Sequence, residues 1–352
     1  MRPFTEALAR VVAHDDAAAA AAAARHQSLT KPAGSLGRLE AAGERLSAIA
    51  RQCPPPVPEP AAVAVFAGDH GVLVEGVSPW PQEVTAQMVA NFCGGGAAVN
   101  VLARHAGADV VVVDVGVAGD LPASAGLRRA KVRRGTGNIA REPAMTADEA
   151  ARALDVGAEV AADLVSGGAR CLLTGDMGIG NTTAAAAVIA ALTGRPAREV
   201  TGRGTGVDDE TWARKVEVVE RAVARTAGAD GPGAVLASVG GLEIAALAGF
   251  VVGGAAAGVP VLLDGVIAGA AALAAVAASP SCLGYLFAGH RSSEPGATVV
   301  LDELGLAPLV DLDLRLGEGT GACLALPLLQ ASAKVLRDMA TFASAGVTDR
   351  KG

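Results

Sequence analysis

The sequence predicts an α/β fold: a doubly wound, mainly parallel sheet with helices on both faces, plus a small helical domain from the two ends of the chain. Three observations carry this. Short β-branched runs stop at glycines flanked by ionisable residues, small-residue helical stretches separate those runs, and both ends of the chain read as helix. Alternating strand and helix demands parallel pairing through right-handed crossovers, and nearly continuous apolar strands are those covered on both faces.

Residues 3 to 25 have helical periodicity, including an alanine tract from Ala17 to Ala24 that signals helix propensity alone. After the polar break SLTKPAGSLGRLE, a second helix runs through Gln52. Pro54, Pro55, Pro56, Pro58 and Pro60 then make a stiff connection into a first strand near Val63. The charged stops follow: AVAVFAGDH at Asp69 and His70, VVVVDVG at Asp114, CLLTGDMG at Asp176, VLLDG at Asp264, GYLFAGH at His290, and a sixth run ending in Gly317-Glu318-Gly319-Thr320-Gly321. Ligands of open α/β sheets bind outside the carboxyl ends of the strands, so these stops are expected on one rim. Any one such Asp also suits a helix N-cap.

Ile244 to Leu263 is 20 residues without a charge, the length of a membrane span. Gly253, Gly254, Gly258 and Pro260 divide it into a buried helix and a strand, with a second helix after Asp264. Beyond Gly321 the chain is helical again, with Leu324, Leu328, Val335, Leu336 and Met339 spaced for one face. The expected organisation is residues 1–60 as helices of the small domain, 61–314 as a Rossmann-like α/β domain, and 315–352 as a site loop and C-terminal helices of the small domain. No internal repeat is visible.

At 352 residues and 51% hydrophobic content the chain can bury a large core, which 45 glycines and 3% aromatics require to be packed by small and branched side chains. A net charge of -7 without a long basic run argues against nucleic acid as a partner. Cys53, Cys93, Cys171, Cys282 and Cys323 have no metal-ligand spacing and read as buried apolar residues of a reducing compartment. The start, MRPFTEALARVVAHDD, lacks the apolar core of a secretory signal, so the expected location is cytoplasmic, with no membrane partner.

Five segments carry chemistry. Gly175-Asp176-Met177-Gly178-Ile179-Gly180-Asn181-Thr182-Thr183 follows a strand and opens a helix; successive backbone N–H groups and the helix dipole suit an anion, although the pattern is neither GxGxxG in its usual register nor a Walker A. Thr201 to Gly206 (TGRGTG) is a second donor-rich loop that a downstream Lys215 would let close on the same phosphate, as a partly exposed ion pair. Around Trp80, Pro79 and Pro81 stiffen a wall for a flat aromatic ligand, with Ser78 and Gln87 able to bond ring nitrogens. Gly289-His290-Arg291-Ser292-Ser293-Glu294 puts hydroxyls and charge on the rim. In Arg315 to Gly321, glycines on both sides leave Glu318 free to approach a substrate, and its few apolar neighbours can raise its pKa toward that of a general base. Each segment also has a plain structural reading as a turn, a cap or a packed aromatic.

Taken together, KPAGSLGRLE at 31–40, AGDHGV at 67–72, EGVSPWPQEVTAQM at 75–88, GDMGIGNTTAAAA at 175–187, TGRGTG at 201–206, LLDG at 262–265, GHRSSE at 289–294 and LGEGTGA at 316–322 resemble the nicotinate-nucleotide:dimethylbenzimidazole phosphoribosyltransferases of cobalamin lower-ligand synthesis. The resemblance implies transfer of phosphoribose from nicotinate mononucleotide to 5,6-dimethylbenzimidazole, giving α-ribazole 5′-phosphate and nicotinate, without cofactor or metal. It implies Glu318 as the base that takes the azole proton, and Ser78, Trp80 and Gln87 in the azole pocket. Asp176 is there in a supporting role, because the family pattern has Glu as often as Asp at that position. Gly178, Asn181, Thr182, Gly204, Lys215, Ser292 and Arg315 fall in the nucleotide and phosphate segments. The family is homodimeric, and segment 31–40 is expected to help close the partner's cavity. Two other readings stay open on the residues: a dinucleotide-dependent oxidoreductase, disfavoured because no acid follows a proper GxGxxG by about 20 residues, and a non-catalytic azole- or nucleotide-binding module.

Overall fold

Six strands form one sheet in the order β3-β2-β1-β4-β5-β6: β1 (Ala61–Gly68), β2 (Ala108–Gly116), β3 (Leu127–Arg129), β4 (Cys171–Met177), β5 (Val261–Leu263) and β6 (Leu286–Ala288), in a computed structural model that describes residues 2–348. All five pairings are parallel. β1 and β4 are buried at every position, which is why β1 is an unbroken small and apolar run and β4 opens on one, Cys171-Leu172-Leu173, without alternation. The order reverses between β1 and β4, and in a doubly wound sheet that switch point opens a crevice.

Five strands lie where the apolar runs place them; the sixth run does not form one. Before Gly317 the chain runs beside the end of β6 and the segment after it, through Leu309 N–H to Ala288 O at 3.0 Å and the bridge His290↔Val310, and Asp313 at φ 54 interrupts a regular ladder. The sixth strand is instead β3, Leu127-Arg128-Arg129, an edge whose two arginines hide it from a hydrophobicity reading; charge on an edge strand also deters further pairing.

In chain order the helices are α1 (Pro3–Arg10), α2 (Asp16–Ser28), α3 (Arg38–Ala50), α4 (Glu83–Cys93), α5 (Ala98–Ala106), α6 (Ala147–Ser166), α7 (Asn181–Thr193), α8 (Ala197–Val200), α9 (Asp209–Ala224), α10 (Gly231–Val239), α11 (Leu242–Ala256), α12 (Val266–Ala278), α13 (Pro295–Leu304), α14 (Thr320–Asp338) and α15 (Phe342–Ala345). The periodicity expected over 3–25 is broken at 11–15: the first helix ends at Arg10, and Asp15 caps the next by accepting from Ala17 N at 2.9 Å and Ala18 N at 3.2 Å. α1 packs on α6 and α11, while α2 and α3 pack together and against α14. The chain ends are tied by Thr30 N–H donating to Ala340 O at 3.0 Å.

α14 corrects the expected stripe. Its buried face is Ala322, Ala325, Leu326, Leu329, Ala333 and Leu336, whereas Leu328 is exposed and Leu324, Val335 and Met339 are half-buried. The large residues misled because small ones allow the closest contact: a Cβ on Gly43 of α3 would already stand 2.8 Å from Leu336 Cδ1. The cysteines are free, with Cys171, Cys282 and Cys323 buried but Cys53 and Cys93 only partly so.

α11 is buried from Leu242 to Ala255, lying against β1, β2, β4 and β5 and covered by α6, α12 and α1. That placement accounts for its uniform apolarity. Among the described residues no helix is long and apolar enough to cross a membrane. α6 and α11 approach backbone to backbone: a Cβ on Gly157 would lie 1.8 Å from Ala246 O and 2.6 Å from Phe250 N, and one on Gly249 2.0 Å from Leu154 O. Neither neighbour can rotate away.

Gly157→Ala therefore tests this contact. Helix propensity alone favours Ala by about 1 kcal/mol, but overpacking against backbone costs about 1–3 kcal/mol or more. The expected outcome is a lower midpoint in chemical denaturation; a midpoint equal to or above the parent's would show that the two helices do not touch here.

Candidate active site

The carboxyl ends of β1, β4, β5 and β6 surround a cavity of about 330 Å³. Its walls come from the loops at 77–80, 178–180, 203–207, 290–294 and 315–318 and from α4, α7, α9 and α12, and one end differs chemically from the other.

The acidic end is built on β4, β5 and the turn into α14. Gly317, Glu318 and Gly319 have φ of 82, 66 and 97°, so three consecutive residues are left-handed and only the middle one carries a side chain. This turn lies flat on the sheet: a Cβ on Gly175 would stand 2.6 Å from Glu318 O, and one on Gly319 2.9 Å from Val63 Cγ1. The glycines thus hold Glu318 in place and do not leave it loose, contrary to expectation. Glu318 is 6% exposed and lines the cavity, and its Oε2 has no hydrogen-bond partner among the described residues. Burial raises its pKa, the Val99 N–H at the start of α5 opposes that, and the Asp264 charge adds to it.

Asp176 lines the same end. Its Oδ2 accepts from Asn181 Nδ2 at 2.9 Å and its Oδ1 is unpartnered. Burial pushes this carboxyl well above the usual range, reinforced by Asp264 and Glu243 and, more weakly, by Glu318, so its neutral acid form is favoured. Beneath the Gly178–Gly180 turn, His70 Nε2 meets Glu243 Oε1 at 2.8 Å with both side chains fully buried. Burial works to lower the His70 pKa, and Glu243 overrides it, holding the pKa above the usual histidine value. The turn must be glycine, because a Cβ on Gly178 would come within 2.2 Å of Gly68 O.

The basic end holds Lys215, Arg203 and Arg315. Lys215 on α9 is 1% exposed, a correction to the partly exposed lysine expected from the sequence; α9 turns it inward, toward α7. Its Nζ donates to Thr182 Oγ1 at 2.8 Å and to Gly202 O at 3.1 Å, leaving one N–H free. Burial brings its pKa down to about 8, with Glu294 opposing. Glu294 Oε1 accepts from Gly204 N at 2.7 Å and Arg315 Nη1 donates to Gly204 O at 3.2 Å, so the 201–206 loop is fixed in shape by charged neighbours. Gly178, Asn181, Thr182, Gly204 and Ser292 line the cavity between these charges.

The third wall is apolar. Trp80, half exposed, and Ser78 line it, Ser78 Oγ accepting from Trp80 N at 3.2 Å. Gln87 is exposed and does not line the cavity; Val84 and Met88 of the same helix do. The signal for these two was an apolar pair four residues apart on a helix, which a reading drawn to the polar residue beside it misses. Arg203 of the 201–206 loop and Glu294 and His290 of the expected rim segment also line the cavity, and the two ring nitrogens of His290 are without hydrogen-bond partners among the described residues. The position of His290 at a strand stop was the signal for its place there.

A cavity with an anion seat, a buried carboxylate and a flat apolar slot suits transfer of a phosphorylated sugar to or from an aromatic ring. The profile of the DBI_PRT family, described as Phosphoribosyltransferase, matches residues 11–347. The chain belongs to this phosphoribosyltransferase family. A relative in Salinispora tropica named nicotinate-nucleotide–dimethylbenzimidazole phosphoribosyltransferase is 59% identical over 338 residues, 92% of this chain and 93% of that protein. One of the same name in Chloroflexus aggregans is 53% identical over 352 residues, 100% of this chain and 99% of that protein. A crystal structure of CobT from Thermus thermophilus superposes with a TM-score of 0.92 at 52% identity, covering 95% of this chain and 100% of that one. The doubly wound fold and the family expected from the sequence are both borne out.

For this phosphoribosyltransferase the buried lysine sets a test. Lys215→Ala should weaken a ribonucleotide 5′-monophosphate by about 1–3 kcal/mol, as for a lost charge-assisted contact, and its riboside hardly at all. In the parent, Lys215 of the free protein loses its charge as pH rises through about 8, while a bound phosphate dianion favours the charged form. Nucleotide affinity should therefore fall above that pH, by at most about tenfold per unit. Equal losses for nucleotide and riboside, or a flat profile, would separate Lys215 from the phosphate.

Proposed function

We propose that this phosphoribosyltransferase moves the phosphoribosyl group of nicotinate mononucleotide to 5,6-dimethylbenzimidazole, releasing nicotinate, with Glu318 as the general base. The observation that carries this reading is the Glu318 carboxylate, with its Oε2 free of any hydrogen-bond partner among the described residues, in the same cavity as the Lys215, Arg315 and Gly204 seat. Such an arrangement holds a phosphate at one end and a proton acceptor at the other.

The chemistry needs one base and no acid. Nicotinate leaves a pyridinium nucleotide as a ring whose nitrogen becomes neutral, so nothing has to protonate it. The azole nitrogen attacks C1′ from the face opposite the departing ring, inverting β to α through a ribosyl centre with oxocarbenium character. A carboxylate near that centre both takes the azole N–H proton and stabilises the developing positive charge. Binding energy from the remote phosphate positions the sugar for this step. Asp176 in its neutral form bonds a ligand without adding a second negative charge, a supporting role. The Val77, Val84 and Met88 side of the cavity, with Trp80, takes the flat azole; Ser78 bonds its ring nitrogens, and we assign Gln87 no contact.

Two features of organisation belong to the same proposal. We treat α2, α3 and the outer part of α14 as a small helical unit beside the α/β body, leaving α1 with the body. We also propose a homodimer in which segment 31–40 of one copy closes the cavity of the other, because that segment lies off its own cavity while Trp80 and Leu316 at the mouth are 50% and 58% exposed. Light scattering that returned the monomer mass of 34.6 kDa would remove the dimer. A cytoplasmic location fits five cysteines that are all unpaired.

Glu318→Gln is expected to retain both substrates while turnover drops about 10²–10⁴-fold, the usual span for a lost general base. A base must be ionised, and burial raises this one, so the parent's rate should rise with pH along an acidic limb above the usual carboxylate range. The variant should lack that limb. Turnover of the variant near the parent's at neutral pH would overturn the assignment.

A further inference from the structure

Asp264 ends β5, and its carboxylate is committed entirely to the far loop. Oδ1 accepts from Gly321 N at 2.8 Å and Ala322 N at 3.1 Å, and Oδ2 from Gly319 N at 3.1 Å. These N–H groups open α14 and have no partner within the helix. α14 has no side-chain cap of its own, since its N-cap is Gly319. The cap comes from a strand end more than fifty residues earlier.

Directly before that cap stands Glu318 at φ 66°, a backbone region a side chain holds only where its surroundings over-determine it. Three hydrogen bonds to the next residues supply that constraint. The packing leaves little slack: a Cβ on Gly321 would fall 1.9 Å from the His290 ring, and one on Gly289 3.0 Å from Ala322 Cα.

We propose that Asp264 is the positioning residue of this phosphoribosyltransferase: by clamping the start of α14 it holds the left-handed turn that presents Glu318 to the azole. The proposal rests on the reading of Glu318 as base. Asp264 also acts on Glu318 by charge. The groups facing Glu318 are Asp264 from the end of β5, Asp176 from the end of β4 and the Val99 N–H of α5, with His290 Nε2 from the end of β6 standing 3.6 Å from Asp264 Oδ1. Of these, Asp264 is the closer acid in effect, and its negative charge disfavours ionisation of Glu318.

The test is a double-mutant cycle in the full-length protein with Asp264→Asn, Glu318→Gln and the pair, assayed with nicotinate mononucleotide and 5,6-dimethylbenzimidazole. Asn keeps the shape and one acceptor but sets an N–H₂ against the Gly319 N–H. Asp264→Asn should lower kcat by on the order of 10–10²-fold through misplacement of the base, with KM for the nucleotide nearly unchanged. Its acidic limb should move to lower pH, because a negative charge beside Glu318 has gone. Asp264→Ala should lose more, having no acceptor left. Adding Asp264→Asn to Glu318→Gln should change kcat by less than about twofold, since no carboxylate remains to be placed. Asp264→Asn that only lowers Tm, with parental kcat and pH profile, would reduce Asp264 to a structural cap and overturn the proposal. Multiplying defects with an impaired Glu318→Gln would overturn it while leaving the base reading intact. Parental turnover in Glu318→Gln would remove the base reading, and this proposal with it.

Discussion

The site depends on one close approach, that of the Gly317–Gly321 turn to the ends of β1 and β4. Backbone lies against backbone there: Gly175 and Gly319 leave room for no Cβ, and the carbonyl of Glu318 sits where a side chain on β4 would have been. The contact carries α14 back from the chain's C-terminal end to the switch point of the sheet. It also decides that residue 318 alone carries a side chain among the three consecutive left-handed positions 317–319. The Asp264 carboxylate seals the arrangement by satisfying N–H groups that burial would otherwise leave unbonded at a cost of about 1–3 kcal/mol each.

Charge is distributed along the cavity to match. Asp176, Asp264 and Glu318 crowd one end, and buried carboxylates this near cannot all ionise cheaply, so the pKa of Asp176 is driven well up. Lys215, Arg203 and Arg315 occupy the other end with hydroxyl and glycine donors. A ligand with a dianionic phosphate and a cationic ring-bearing sugar has one favoured orientation in such a field. The same low dielectric that makes these interactions strong lowers the pKa of Lys215 to about 8.

Much of this was legible from residue patterns. A β-branched run ended by Gly and a charge is a parallel strand meeting a helix, and five of six such runs are strands. The failures share a physical cause, because local hydrophobicity does not report where a backbone is close-packed. The run before Gly317 has strand-like leucines and exchanges hydrogen bonds with the segment leaving β6, but Asp313 at φ 54 interrupts it, whereas Leu127-Arg128-Arg129 pairs despite its charges. On α14 the buried face is Ala322, Ala325 and Ala333 with Leu326, Leu329 and Leu336, while Leu328 is exposed and Leu324 half-buried. Gln87 stands out for its chemistry, while the helix turns Val84 and Met88 to the cavity.

The sequence by itself determined the doubly wound fold, the family and the strand-stop segments that form the rim, because periodicity, glycine placement and motif order are local and survive without knowing who packs on whom. Tertiary structure alone decided which stops became partners. It made Asp264 the clamp of a helix more than fifty residues away, buried Lys215 against Thr182, and left Glu318 Oε2 without a hydrogen-bond partner in the cavity. Those outcomes turn on desolvation and on distances of about 3 Å between residues far apart in the chain.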